Sequence, residues 1–217
     1  MAERRMRILD AATDLLGAGA VESLTMRALS ESAGVSVPTI YNLVGGRDDV
    51  LVAVLEQLGT VFDAEIATLT VDPVDRCFDI AAHFVTAITG RMGLARSILA
   101  EGLGPVFAQA NASPLHRYRV ALGPAVLDAA DQREIELVTS PDLLVDQLVA
   151  LTTIRFFQWA RVDSPGDDDD AIFRAQVAHG VGLTLAAVAT DRVRPGVLQR
   201  ITESERTLTN QREGTLR

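Results

Sequence analysis

The side chains that could carry out catalysis are few and stand far apart along the chain. The three histidines are His83, His116 and His179, and the single cysteine, Cys77, has no second cysteine with which to form an intramolecular disulfide. The sequence has no cluster with metal-ligand spacing, no nucleophile elbow and no phosphate-binding loop. We therefore expect no enzyme activity, no cofactor and no metal site; a triad assembled from distant residues is the remaining alternative.

A different chemistry, hydrogen bonding by uncharged polar side chains, is concentrated near the N-terminus. Thr25 and Ser36 each precede an apolar helical pattern and are typical helix N-caps, and Gly34 is a typical C-cap. Pro38 is compatible with the first turn of the helix that follows Ser36. The pattern predicts two short helices joined by a tight corner, after an amphipathic helix that includes residues 8–16. Such a unit can lay its last helix in a major groove, although similar corners occur in proteins that bind no DNA.

The rest of the chain is also predicted to be helical. Apolar periodicity indicates helices over residues 47–69, 73–89, 92–100, 113–130, 141–162 and 168–190. The polar tail after Pro195 and Gly196 is expected to form only a short helix and then to fray. The predicted fold class is all-α, with a three-helix helix-turn-helix domain at residues 1–46 and a larger helical domain at residues 47–217.

The charge balance limits where nucleic acid could bind. Every basic residue is an arginine, and 20 arginines against 29 acidic residues give a net charge of −9. A general polyanion-binding surface is therefore not expected, and any DNA contact must be local. The apolar runs are too short, or too interrupted by charge, for a signal peptide or a membrane span. We expect a soluble, cytoplasmic protein with no membrane contact.

Five stretches, in order, resemble the TetR family of transcriptional regulators. They are Ile8-Leu9-Asp10-Ala11-Ala12 with Leu15-Leu16, Leu24-Thr25-Met26-Arg27-Ala28-Leu29, Ala33-Gly34-Val35-Ser36, Pro38-Thr39-Ile40-Tyr41 and Gly46-Arg47-Asp48-Asp49-Val50-Leu51. Matching all five is much more specific than the helical corner alone. The sequence departs from the family pattern in two places: Leu43-Val44 replaces a frequent aromatic, and Gly45-Gly46-Arg47 stands where Gly-Ser-Lys or a relative is usual.

The resemblance implies a homodimer that binds a palindromic operator in double-stranded DNA. Its third helix would contact the major groove through Ser36, Val37, Pro38, Thr39, Tyr41 and Asn42. Of these, Asn42 suits base edges and the hydroxyls of Thr39 and Tyr41 suit phosphates, although Tyr41 could also be an ordinary surface residue. Further backbone contacts are expected from Thr25, Arg27 and Arg47, and an N-terminal arm carrying Arg4 and Arg5 could reach a neighbouring minor groove.

One such head would bind weakly, because residues 1–50 hold five arginines against seven carboxylates, 5 − 7 = −2. Two heads placed about one helical turn apart double the contacts and give a steep salt dependence. The resemblance implies that the last two strong helices form the dimer seam, and an intramolecular core is the alternative. The expected seam residues are Leu148, Leu151, Thr152, Ala175, Ala178, Gly182, Leu185 and Ala186.

The resemblance also implies a cavity for a small ligand among the middle helices. Their residues would make it largely apolar, although most of these large side chains could be ordinary core. Candidate lining residues are Phe62, Ile66, His83, Phe84, Ile88, Phe107, Tyr118, Arg155, Phe156 and Trp159, with His116 and Gln158 as further polar candidates. The acidic run at residues 167–170 favours a helix N-terminus over a cation site.

The favoured function is a TetR-like repressor that a ligand releases from its operator by shifting the dimer between two states, although a ligand that activates DNA binding remains open. The alternative is an all-helical small-molecule-binding protein without DNA binding. The acidic balance and the missing aromatic near Val44 support that alternative.

Overall fold

The structure, a computed structural model, describes residues 1–18, 24–69, 71–90, 114–161 and 167–215. Within these ranges the chain forms nine α-helices and no strand, with one isolated antiparallel bridge between Ile135 and Ala189. The helices are α1 (Ala2–Ala18), α2 (Met26–Ala33), α3 (Val37–Leu43), α4 (Arg47–Ala67), α5 (Pro73–Thr89), α6 (Pro114–Asp131), α7 (Pro141–Trp159), α8 (Asp167–Ala186) and α9 (Arg194–Thr215). The predicted all-α class is confirmed. No helix in the described ranges is long and apolar enough to cross a membrane.

The predicted helix ends agree with the structure where a local cap defines them. Thr25 Oγ1 accepts a hydrogen bond from the Ala28 amide, and Ser36 Oγ accepts one from the Thr39 amide. Gly34 ends α2 at φ +63°, in the left-handed region where glycine is favoured. Helices α4, α5 and α6 begin and end within two residues of their predicted bounds. The helix predicted over residues 92–100 lies outside the described residues.

The prediction of a fraying tail is wrong, because α9 is a helix of 22 residues. Pro195 lies in its first turn, where the missing N–H costs no intrahelical bond. Val197, Ile201 and Ser204 are buried, and a Cβ at Gly182 would lie 2.6 Å from Ile201 Cγ1. The glycine thus allows α9 to approach α8 closely, and the burial of its inner face stabilises a helix whose composition is largely polar.

Helix α8 ends at Ala186 rather than near residue 190, because the chain turns there to pair with the segment that follows α6. The Thr190 amide donates to the Glu134 carbonyl at 2.9 Å, and the Glu136 amide donates to the Val188 carbonyl at 2.7 Å. The buried Glu134 carboxylate accepts from the Val74 amide at the start of α5 and from Arg192, both at 2.9 Å. One carboxylate therefore satisfies an N-terminal amide of α5 and joins it to the two loops.

The chain divides into two compact units. The first comprises residues 1–62 and 88–117, and the second comprises residues 63–87 and 118–217. The first unit has a core formed by apolar side chains of α1 to α4, including Ile8, Leu16, Leu24, Leu29, Ile40 and Val54. The second unit buries Tyr118, Leu122, Leu148, Phe173 and Leu185. The boundary expected between residues 46 and 47 stays a prediction.

Candidate nucleic-acid interface

The corner between α2 and α3 satisfies its own polar groups. The amides of Gly34 and Val35 both donate to the Ser30 carbonyl, and Ser30 Oγ donates to the Val35 carbonyl at 2.6 Å. Ser36 then caps α3, with its Oγ 2.8 Å from Thr39 Oγ1. Because these bonds are made within the corner, the path of the chain between the two helices is fixed without any external partner.

Helix α3 has a buried side and an outer side. Ile40 is fully buried in the core of the first unit, and Leu43 packs partly buried against that core. Tyr41 is 56% exposed, and Asn42, Pro38 and Ser36 are exposed as well, whereas Val37 and Thr39 are half-buried. The outer side of α3 is therefore formed by Pro38, Tyr41 and Asn42, with no charged group among them.

The turn from α3 to α4 depends on two glycines and one carboxylate. Gly45 has φ +124°, and its amide donates to the Ile40 carbonyl at 3.2 Å. Asp49 Oδ2 accepts from the Gly46 amide at 2.8 Å, and the Val50 amide donates to the Gly46 carbonyl. Asp49, at the third helical position, thus satisfies the amide of the N-cap residue Gly46, which is the bond of a capping box that needs no side chain at the N-cap. The start of α4 therefore has a side-chain hydrogen bond even though Gly46 stands where the family pattern often has a serine.

The residues expected to contact the DNA backbone differ in their exposure and in the hydrogen bonds that they already make within the protein. Thr25 is exposed and holds the N-terminus of α2. Arg27 is 89% exposed and pairs with Glu31 at 3.1 Å on the same helix. Arg47 is less exposed, at 35%, and its Nε donates to the Leu24 carbonyl at 3.1 Å.

The N-terminal arm expected to carry Arg4 and Arg5 is helical in the structure. Helix α1 begins at Ala2, so Arg4 and Arg5 lie in its first turns, where both are exposed. Any contact that they make with DNA would have to come from a helix rather than from a strand-like arm inserted into a groove.

The residues expected at the dimer seam are largely buried within the single chain. Leu148, Thr152 and Leu185 have no exposed surface, and Ala175 is 6% exposed. Gly182 is also buried, and Leu151, Ala178 and Ala186 are half-buried. The fully buried side chains pack in the core of the second unit, as the intramolecular alternative proposed.

Sequence reasoning missed the exposed apolar side chains of the same two helices. On α7, Leu143 and Ile154 are 60% and 56% exposed, and on α8 Leu183 is 54% exposed. Leu143, Ala150, Ile154 and Phe157 follow one another at helical spacing and form a second apolar stripe. That spacing was visible in the sequence, but it lies beside the stripe of Leu144, Leu148 and Thr152, and periodicity alone does not say which of two stripes is buried.

Two of the expected pocket residues, Phe84 and Tyr118, lie in the core of the second unit. The rings of Phe84 and Tyr118 stack with centroids 4.5 Å apart, and the Tyr118 hydroxyl lies 3.2 Å from Thr152 Oγ1. Thr152 donates to the Leu148 carbonyl, so Tyr118 is the donor to Thr152. Burial raises the pKa of Tyr118 above its ordinary value, so it remains a neutral hydrogen-bond donor.

The other pocket candidates are spread more widely. Ile66, Phe156 and Trp159 are buried, and Trp159 Nε1 donates to Asp170 near the start of α8 at 2.9 Å. Half-buried His83 places Nδ1 2.8 Å from the Asp79 carbonyl, and Arg155 donates to Gln158. Phe62 and Ile88 belong to the first unit, His116 is exposed, and Phe107 lies outside the described residues.

No described group of three or more histidine, cysteine or acidic side chains is arranged to hold a metal ion. Burial, with a smaller effect from Glu134, raises the pKa of the Cys77 thiol to about 12, so this side chain is an unreactive core thiol rather than a nucleophile.

Comparison with known proteins agrees with these features. Residues 8–54 match the family model described as bacterial regulatory proteins, tetR family. No curated protein matches the chain. A TetR transcription regulator from Haloarcula marismortui superposes with a TM-score of 0.73 at 14% identity, covering 88% of this chain and 100% of its own. SmeT, the repressor of the Stenotrophomonas maltophilia efflux pump SmeDEF, gives 0.65 at 18% identity, covering 87% and 92%.

A third solved structure is FadR from Bacillus subtilis in complex with stearoyl-CoA. It has a TM-score of 0.65 at 17% identity and covers 84% of this chain and 98% of its own. The resemblance to the TetR family is thus confirmed over the N-terminal segment. The fold is that of TetR-type regulators, with an N-terminal helix-turn-helix domain and a larger helical C-terminal domain.

Gly45 offers a test of the turn that leads out of α3. A Cβ there would lie 2.3 Å from Asp49 Oδ2 at a φ that L-residues rarely adopt, so we expect Gly45→Ala to lower the free energy of unfolding by about 2 kcal/mol or more. The control is Gly46→Ala, whose Cβ would meet nothing closer than 3.7 Å and whose cost should stay under about 1 kcal/mol. Urea unfolding followed by circular dichroism measures both, and equal losses would contradict this account of the turn.

Proposed function

We propose that this chain, which carries the N-terminal segment of the TetR family on a TetR-type fold, is a transcriptional regulator that binds a palindromic operator as a homodimer, acting as a repressor. The observation that carries the proposal is the outer side of α3, where Tyr41 and Asn42 are exposed on a short helix that is capped at its start and anchored by the buried Ile40. TetR-family regulators are non-enzymatic transcription factors, and the proposal includes no catalytic step.

The chemistry of the α3 surface favours recognition by hydrogen bonds and apolar contacts. The Asn42 amide can pair with a base edge in the major groove, and the methyl groups of Val37 can meet a thymine methyl. Phosphate contacts fall to the N-terminus of α2 at Thr25, to Arg27 and to the helical Arg4 and Arg5. Since one head supplies few positive charges, two heads on a two-fold dimer are needed for tight binding.

For the dimer, we propose that a second copy covers the exposed apolar side chains of α7 and α8. Leu143, Ala150 and Ile154 lie exposed along α7, and Leu183 lies exposed on α8. The two helices pack closely, since a Cβ at Gly180 would lie 2.5 Å from Leu151 Cδ1. Apolar surface of this kind on a monomer is stabilised by burial against a partner, and a two-fold interface buries the same face of each copy.

For the ligand, we propose a small apolar molecule that enters the second unit beside Phe84 and Tyr118. The buried pair of Tyr118 and Thr152 offers hydroxyl groups among apolar side chains, and His83 offers Nε2 as an acceptor nearby on the helix of Phe84. The FadR neighbour that holds stearoyl-CoA supports a long acyl chain as a first probe. The ligand would favour a dimer whose two α3 helices no longer match successive major grooves.

The operator prediction is tested by selecting bound sequences from a random DNA pool. We expect a palindrome whose half-sites lie about one helical turn apart, because the two α3 helices of a dimer enter successive major grooves. Tyr41→Ala and Asn42→Ala should each weaken binding at least about tenfold by fluorescence anisotropy. Gln199→Ala, an exposed change on α9, is the control. If no sequence is selected in low salt, the proposed regulator function is wrong and the small-molecule-binding alternative is favoured.

The dimer prediction is tested by a charge placed on the α7 stripe. Ile154→Glu should convert the dimer to a monomer in analytical ultracentrifugation and lower operator affinity, because a carboxylate buried at the interface loses its hydration. Val120→Glu on α6, at 57% exposure against 56% for Ile154, is a matched control that should remain dimeric. A monomeric wild type, or a dimeric Ile154→Glu variant, would overturn the assignment of this face.

The ligand prediction is tested by thermal shift with stearic acid and stearoyl-CoA. A ligand that binds only the folded protein should add about 2.7 kcal/mol to the free energy of unfolding at a concentration of 100 Kd, and should therefore raise the melting temperature. It should release the operator in the same concentration range. Tyr118→Phe removes the hydroxyl while keeping the ring, so it should weaken the shift if the hydroxyl orients the ligand. Absence of any shift, with operator binding unchanged, would rule out this acyl-chain class.

A further inference from the structure

The side chain of Arg47 makes a tertiary hydrogen bond that its family counterpart, usually a lysine, cannot make in the same way. Its Nε lies 3.1 Å from the Leu24 carbonyl oxygen, 23 residues earlier in the chain. Its Nη1 is a looser 4.0 Å from Asp48, and the side chain is 35% exposed. Nε is the guanidinium nitrogen bonded to Cδ, so an arginine can donate from Nε to a carbonyl beside its stem. A lysine can donate only from its terminal ammonium.

The carbonyl that Arg47 holds stands at the entrance to α2. The Leu24 side chain is 1% exposed in the core of the first unit, so this residue is anchored on one side already. The next residue, Thr25, caps α2: its Oγ1 accepts from the Ala28 amide at 3.1 Å and its carbonyl accepts from the Leu29 amide at 2.9 Å. Arg47 therefore ties the first residue of α4 to the peptide that sets the direction of the α2 N-terminus.

That N-terminus is one of the proposed phosphate contacts. A helix start binds an anion through its first amides and its cap hydroxyl, and such contacts depend on placement to within a fraction of an ångström. Arg47 also lies next to the turn through Gly45 and Gly46 that leads out of α3. One side chain thus connects the start of α2, which is the proposed phosphate contact, with the start of α4, the helix that follows α3 in the chain.

We propose that Arg47 is a positioning residue for operator binding, which acts through the Leu24 carbonyl to hold Thr25 and the start of α2 in place. The inference rests on the proposed function for its consequence in DNA binding, but its structural step concerns the free protein. A residue that served only as a separate phosphate ligand would contribute independently of Thr25, whereas a residue acting through Leu24 and Thr25 would not.

The structural step is tested without DNA, by amide hydrogen exchange of the free protein resolved by residue. Arg47→Lys keeps the charge and loses Nε, so we expect the Ala28 and Leu29 amides to exchange at least about fivefold faster while α1 is unaffected. Arg7→Lys, at an exposed position of α1 in the same unit, is the matched control and should change neither. Unchanged exchange in α2, or loss of protection throughout the first unit, would overturn the proposal.

The functional step is tested with the selected operator by a double-mutant cycle. Arg47→Lys and Thr25→Ala should each weaken operator binding about tenfold. The double variant should bind no more than about twofold more weakly than the single variant with the lower affinity. Arg7→Lys should bind within about twofold of wild type. Additive losses would indicate a contribution independent of Thr25, and an Arg47→Lys variant that binds as wild type would show that Nε is not needed. Either result would overturn the positioning role. If wild type binds no DNA, the proposed function fails while the exchange measurement still decides the structural step.

Discussion

The N-terminal unit depends on one constraint. The backbone groups at the ends of the short helices α2 and α3, and at the start of α4, must find hydrogen-bond partners without using the outer side of α3. Thr25 and Ser36 satisfy the starts of α2 and α3, Ser30 satisfies the corner between them, and Asp49 satisfies the start of α4. An α-helix of seven residues has little stability of its own. With its ends satisfied and Ile40 in the core, α3 keeps its outer side chains available for a duplex.

The second unit meets the same constraint with buried polar groups. Glu134 is almost fully buried and accepts from the first turn of α5 and from Arg192, so a carboxylate in the interior is compensated by an amide and a guanidinium. Tyr118 and Thr152 satisfy each other and the Leu148 carbonyl between α6 and α7. The first set of contacts joins α5 to the loops that follow α6 and α8, and the second joins α6 to α7. A molecule that displaced one of them would therefore change the packing of several elements together.

The sequence predicted features that rest on local interactions and failed where tertiary packing decides. Thr25, Gly34 and Ser36 were identified as caps because a cap acts on residues three or four positions away. The long α9 was missed because its polar composition gives little local signal, and its stability comes from Val197 and Ile201 packing in the second unit. The expected seam included Leu148, which is buried within the chain, because the two apolar stripes of α7 look alike in a sequence. The bond from Arg47 to Leu24 joins distant residues through a backbone atom, which no side-chain pattern reveals.

The acidic balance of the chain bears on how a regulator of this kind would find its site. Non-specific DNA binding is almost entirely electrostatic, so a chain with a net charge of −9 is expected to have little of it. The proposed contacts of α3 are uncharged, so they would add affinity for the matching sequence without adding affinity for every other sequence. The specificity ratio, rather than the dissociation constant alone, governs occupancy of one operator among many competing sites. For the proposed dimer, few positive charges and an uncharged recognition surface therefore make selectivity depend on the accurate placement of α3, which the caps at Ser36 and Asp49 provide.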